Sequence, residues 1–143
     1  MTKSKGFTII ELIVVIAIIA VLASIVLVNV TSYISKGKGA AIEGNMATLL
    51  TNGAVYFDGH PTSFGSNYIG DTSGCSASGP IVAAVTNSGA TLACVGDGSS
   101  QAWCGKVATM PTGASYASFC VDSTGYKGLL TSGKCTGSTY ACQ

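Results

Sequence analysis

A chain of 143 residues with 48% hydrophobic and only 9% charged residues is long enough for one compact domain and one long element. Beyond the apolar N-terminal run, Lys36, Lys38, Lys106, Lys127 and Lys134 are balanced by Glu43, Asp58, Asp71, Asp97 and Asp122, and there is no arginine. That balance lacks the clustered basic face of a nucleic-acid binder, so no direct nucleic-acid binding is expected.

The chain opens with a short basic leader, Met1 to Gly6, followed by a run from Phe7 to Val28 in which Glu11 carries the only charge. As a helix the run extends about 33 Å at 1.5 Å per residue, enough to cross a hydrocarbon core. A secretory signal carries its small-residue cleavage site after the apolar region, whereas here the small-residue junction, Gly6 before Phe7, precedes it. Cleavage at that junction would leave the helix on the product. Lys3 and Lys5 on one side of the run are matched by Lys36 and Lys38 on the other, so the positive-inside count is a tie. The cysteines break it, because disulfides persist outside the cytoplasm; the leader is placed inside and the cysteine-bearing head outside.

Glu11 is the most informative residue. A carboxylate in a membrane span costs about 2.5 to 3.5 kcal/mol on insertion scales and usually marks function with a partner. On a helix it shares a face with Phe7, four residues earlier, whose α-amine after cleavage would be a positive partner. A neighbouring subunit could supply that partner equally well, and a position near enough to the headgroups to reach water is the open alternative.

The stretch Lys5-Gly6-Phe7-Thr8-Ile9-Ile10-Glu11-Leu12-Ile13-Val14-Val15-Ile16-Ala17-Ile18-Ile19-Ala20 resembles the signature shared by type IV pilins and the pseudopilins of type II secretion. The resemblance covers about the first 30 residues. It implies cleavage between Gly6 and Phe7 by a prepilin peptidase, N-methylation of Phe7, and an assembly role in which Glu11 neutralises the Phe7 amine of an adjacent subunit. It further implies a homo-oligomeric helical filament, handled by pilus assembly machinery, whose subunit waits as a single-pass protein of the cytoplasmic membrane before becoming extracellular. Many members carry Gly or Pro in the second half of the apolar run; here no Gly lies between Gly6 and Gly37 and no Pro precedes Pro61.

Beyond Asn29, Ile42, Met46, Leu49, Gly53 and Tyr56 keep helical spacing and define one amphipathic face. The helix is expected to run from about Phe7 to Asp58, with Gly59 and Pro61 as stop signals, although Asn52 and Gly53 allow an earlier end. Thr62 to Gly79 reads as a loop and Gly96-Asp97-Gly98-Ser99 as a turn. Pro80 to Val85 and Ala90 to Val95 read as one hairpin around Asn87, Ser88 and Gly89. Trp103 to Thr109 and Ser115 to Val121 read as a second, closed by Met110 to Ala114.

Six cysteines with no C-x-x-C pair suggest three disulfides and no metal site, in a chain with His60 as its only histidine. A hairpin centred on Thr112 sets Cys104 opposite Cys120 and predicts that bridge. Proximity then pairs Cys75 with Cys94 and Cys135 with Cys142, among fifteen connectivities that the sequence allows. No catalytic motif is present, no cofactor is implied, and His60 reads as a solvated loop residue.

The expectation is an α+β protein: residues 1–6 a leader, 7–30 the transmembrane and assembly half of a long N-terminal helix, and 31–143 the rest. In that last segment the second half of the helix packs against a small antiparallel, disulfide-bonded sheet. By resemblance it is the structural subunit of a type IV pilus-like filament. The alternative is a type II secretion pseudopilin forming a short periplasmic rod.

Overall fold

The computed structural model describes residues 6–59, 68–69, 74–76, 79–97 and 101–143. The leader before Gly6, His60, Pro61, most of the expected loop from Thr62, and Gly98 and Ser99 of the expected turn lie outside the described residues. Helix α1 covers Ile9–Gly59, within two residues of the expected bounds. The chain divides into two compact units, Met1–Ile34 and Ser35–Gln143.

In the first unit every described residue is exposed, including Ile, Leu and Val on all sides of the helix. A helix apolar all round belongs inside something, a bilayer or a bundle of helices. α1 is long and apolar enough to cross a membrane. Two polar side chains bond back to the helix itself: Ser24 Oγ donates to the Val21 carbonyl at 2.7 Å and Asn29 Nδ2 to the Ile25 carbonyl at 3.3 Å. Such back-bonding removes hydroxyl and amide donors that hydrocarbon could not solvate.

The second unit is an α+β head. Gly39, Ile42, Met46, Leu49 and Gly53 form the buried stripe of α1, the face expected from the spacing. It packs against a four-stranded antiparallel sheet, β1 Leu92–Gly96, β2 Trp103–Val107, β3 Phe119–Asp122 and β4 Lys127–Gly128, in that order across the sheet. Alternation turns Trp103, Val107, Phe119 and Val121 into the shared core with Ile42, Met46 and Leu49. Gly53 is where the helix meets Trp103: an added Cβ would lie 2.7 Å from Trp103 Cζ2. Tyr68 seals this end, its ring 5.0 Å from that of Trp103 and its hydroxyl donating to the Leu49 carbonyl.

Two expectations are corrected. Pro80 to Val85 is not a strand but the body of helix α2, Pro80–Asn87. Proline at the first helical position is pre-set for the helix, and Ile81 and Val85, one turn apart, are its buried residues. The helix stops at Gly89, whose φ of +88° is the left-handed conformation glycine allows. The Ala90 N–H bonds to the Val85 carbonyl at 3.3 Å and the Gly89 N–H to the Thr86 carbonyl at 2.9 Å, the paired bonds of a Schellman stop. Only the second half of the expected first hairpin is a strand, and it pairs with β2 instead.

The second hairpin exists, but its pairing is centred on Gly113. Cys104 faces Asp122, and Cys120 faces Lys106. Cys104 and Cys120 therefore share a face as diagonal neighbours, and such positions lie about 7–8 Å apart, beyond ordinary disulfide reach. Each is joined instead to the C-terminal segment that crosses this face, as Cys104–Cys135 with Cα atoms 5.7 Å apart and Cys120–Cys142 at 5.8 Å. These two bonds replace the expected Cys104–Cys120 and Cys135–Cys142 pairs. Cys75 is joined to Cys94, the pair given by proximity, at 6.1 Å. Both faces of the sheet are consequently covered, one by α1 and one by a second buried cluster of Cys104, Cys120, Cys135 and Cys142 with Val95, Tyr126 and Leu130 against it.

Candidate functional site

The residues singled out at the N-terminus stand at the start of α1. Phe7 lies just before the helix and is 84% exposed, and nothing approaches Gly6 within 4 Å of where a side chain would begin. The junction between them is open on the described surface.

Glu11 is engaged with Thr8. The Thr8 backbone N–H donates to Glu11 Oε2 at 2.8 Å, the Thr8 hydroxyl donates to the same oxygen at 2.7 Å, and the Glu11 N–H reaches Thr8 Oγ1 at 3.3 Å. With the first helical residue at Ile9, this is a capping box: the side chains of the N-cap and of the third helical residue each satisfy the other's backbone donor. A carboxylate in the first turn also interacts favourably with the positive end of the helix dipole. Thr8 was not singled out from the sequence, although Thr-x-x-Glu ahead of an apolar run is a legible signal for it.

The box leaves a second function possible. Both bonds to the carboxylate fall on Oε2, so Oε1 remains for another donor. A primary amine formed at Phe7 would put a positive charge at the positive end of a helix dipole, where a carboxylate must offset it. The geometry thus offers a half-occupied carboxylate beside the place where an N-terminal charge would be created.

Elsewhere among the described residues, no group of three or more His, Cys, Asp or Glu side chains is arranged to hold a metal. Asp122, a buried carboxylate in the head, is spent on structure. Its Oδ1 accepts from the Thr124 N–H at 2.9 Å and its hydroxyl at 2.5 Å, and its Oδ2 from the Cys142 N–H at 2.8 Å.

An exposed apolar helix with a capped carboxylate at its start, continuing into a disulfide-stapled α+β head, defines the class by its fold: an α+β protein with a long apolar N-terminal helix. Comparison with known proteins carries this further. The family model described as the prokaryotic N-terminal methylation motif matches residues 1–27. Fimbrial protein Q of Moraxella bovis is 42% identical over 66 residues, which is 46% of this chain and 42% of that protein. The type IV major alpha-pilin of the same organism is 45% identical over 60 residues, 41% of this chain and 38% of that protein. The match thus spans less than half the length of either relative. No solved structure matches. Over its N-terminal region the chain is thus similar to a type IV pilin and a fimbrial protein and carries the methylation motif.

Proposed function

We propose that this chain is the precursor of a filament subunit, held in the cytoplasmic membrane by α1, cleaved between Gly6 and Phe7, methylated at Phe7 and polymerised through its N-terminal helix into an extracellular pilus. The observation that carries this reading is the uniformly exposed apolar helix with one carboxylate, half occupied, at its start. Lipid covers such a helix before assembly, and a bundle of identical helices covers it afterwards, so the transfer exposes no apolar surface to water.

Cleavage leaves the capping box intact, because Thr8 contributes only its own N–H and hydroxyl. Its product is a Phe7 amine that cannot be buried unpaired among apolar helices without a penalty of several kcal/mol. In the assembled bundle, Glu11 Oε1 of one copy accepts from the Phe7 amine of another, which neutralises both charges and fixes the axial register. Residues 7–30 then form the assembly segment and 31–143 the surface of the filament. Prepilin peptidase and the pilus assembly machinery are the partners this sequence of events requires.

Intact-mass measurement of the protein purified from surface filaments tests the reading. The expected mass is that of residues 7–143 plus one methyl group, with the cysteines oxidised. A chain still starting at Met1, or one starting beyond Val28, would overturn it.

A further inference from the structure

The three disulfides of the head differ in shelter. Cys104, Cys120, Cys135 and Cys142 are fully buried between the sheet and the C-terminal segment, whereas Cys75 and Cys94 are half-buried at the margin of the core on the α1 face. Thiol–disulfide exchange needs a thiolate to reach a sulfur atom, so access sets which bond a reductant meets first. The two sheltered bonds open only as the C-terminal segment leaves the sheet, and Asp122 Oδ2 holds that segment through the Cys142 N–H at 2.8 Å.

The accessible bond fastens a particular piece of chain. Tyr68 is fully buried, its ring 5.0 Å from that of Trp103 and 5.5 Å from that of Tyr56, and its hydroxyl donates to the Leu49 carbonyl. Gly74 lies directly on Tyr68: an added Cβ would collide with the Tyr68 carbonyl and stand 3.2 Å from the ring. The next residue, Cys75, is bonded to Cys94 at the middle of β1, an outer strand of the sheet. Cys94 Sγ lies 3.2 Å from where a Gly105 Cβ would be, and Leu49 Cδ2 lies 2.9 Å from the same point. One covalent bond thus ties the stretch that carries Tyr68 to the sheet, close to the helix residue whose carbonyl Tyr68 holds.

We propose that Cys75–Cys94 is a redox-sensitive latch: a dithiol reductant opens it ahead of the other two bonds and unseats Tyr68 from Trp103, while the sheet and its C-terminal cover stay closed. The reductant's first thiolate attacks one sulfur of the bond, forming a mixed disulfide and releasing the other cysteine as a thiolate. Its second thiol then displaces the protein sulfur. The reductant leaves as a disulfide, having given up two electrons, and both cysteines end as thiols. Helix α2 lies between the two cysteines in the chain, and its buried Ile81 and Val85 confine the opening to the stretch before it. The latch lies wholly within the head and needs no filament.

Oxidised full-length protein in detergent is exposed to graded dithiothreitol, quenched with an alkylating reagent and mapped by peptide mass spectrometry. Fluorescence of Trp103, the sole tryptophan, is followed alongside. Cys75 and Cys94 should be alkylated about tenfold faster than the other four cysteines. Trp103 emission should change in step with them, before any other cysteine reacts. A variant with both Cys75→Ser and Cys94→Ser should show that altered emission with no reductant present, its other two bonds mapping unchanged. The reduction series on the parent decides the matter even where this variant does not fold. Reaction of all six cysteines at one rate, or earlier opening of either sheltered bond, would overturn the proposal. So would first opening of Cys75–Cys94 with Trp103 emission unaltered, because the bond would then be a staple and not a latch.

Discussion

Asp122 Oδ2 accepts the backbone N–H of Cys142 at 2.8 Å, so a single buried carboxylate ties the end of β3 to the end of the chain. Its other oxygen holds the Thr124 N–H and hydroxyl of the adjoining turn. Truncation to Asp122→Ala strands two backbone donors in a buried site. The expected loss of head stability is about 2 to 4 kcal/mol, since buried unsatisfied groups cost about 1 to 3 kcal/mol each. Thr124→Val removes only the hydroxyl and should cost about 1 kcal/mol. Denaturant unfolding of the oxidised protein in detergent, followed by Trp103 fluorescence, checks both; an Asp122→Ala variant as stable as the parent would show that the C-terminal segment is not anchored there.

The bonds Cys104–Cys135 and Cys120–Cys142 close chain separations of 31 and 22 residues. Non-reducing peptide mapping should recover both, along with Cys75–Cys94, and no peptide joining Cys104 to Cys120. Replacing Cys120 and Cys142 together by serine should cost about 3 kcal/mol by the loop-entropy relation, and the segment over the sheet should then exchange its amide hydrogens faster.

Two glycines of one helix should respond with opposite signs. Gly44 has open space where a side chain would begin, so Gly44→Ala should stabilise the head by up to about 1 kcal/mol through helix propensity. At Gly53 the same change sets a methyl 2.7 Å from Trp103 Cζ2. The overpacking penalty of about 1–3 kcal/mol then exceeds the propensity gain. Paired unfolding curves decide it, and a Gly53→Ala variant more stable than its parent would mean that Trp103 does not pack against the helix as described.

What the sequence disclosed follows the reach of each signal. The helix was legible because Phe7 to Val28 is uniform in composition and Ile42, Met46 and Leu49 repeat at the helical period over a long window. Pro80 to Val85 was misread because a six-residue apolar run fits a strand or a helix equally; Pro80 at the start and Gly89 at the end were the deciding signals. The two-residue difference in strand register lies in the loop between β2 and β3, which packs Ala114 against Gly39, a long-range contact that no local pattern announces. Two of the three disulfides are illegible for a related reason: strand pairing relates Cys104 only to Cys120, and Cys135 and Cys142, which capture them, arrive from a segment with no periodicity. Thr8 differs from these, since Thr-x-x-Glu ahead of an apolar run is itself the signature of its capping role.

That charge and the capping box can be separated by substitution. Glu11→Gln keeps the box, because glutamine serves as well at the third helical position, but removes the negative charge. Thr8→Val keeps the charge and nearly the same shape, while losing the hydroxyl bonds at a cost of about 1 kcal/mol to the first turn. If Glu11 acts in assembly, Glu11→Gln should abolish filaments, since the Phe7 amine would meet no counter-charge in the helix bundle, at a penalty of several kcal/mol. Membrane insertion should not suffer, because a neutral side chain enters hydrocarbon more readily than a carboxylate. Thr8→Val should still assemble, in somewhat lower number. Electron microscopy of surface filaments, beside a blot of the membrane fraction, reads out both variants. Filaments from Glu11→Gln and none from Thr8→Val would reverse the assignment and leave Glu11 as a helix cap, with the amine neutralised by some other group.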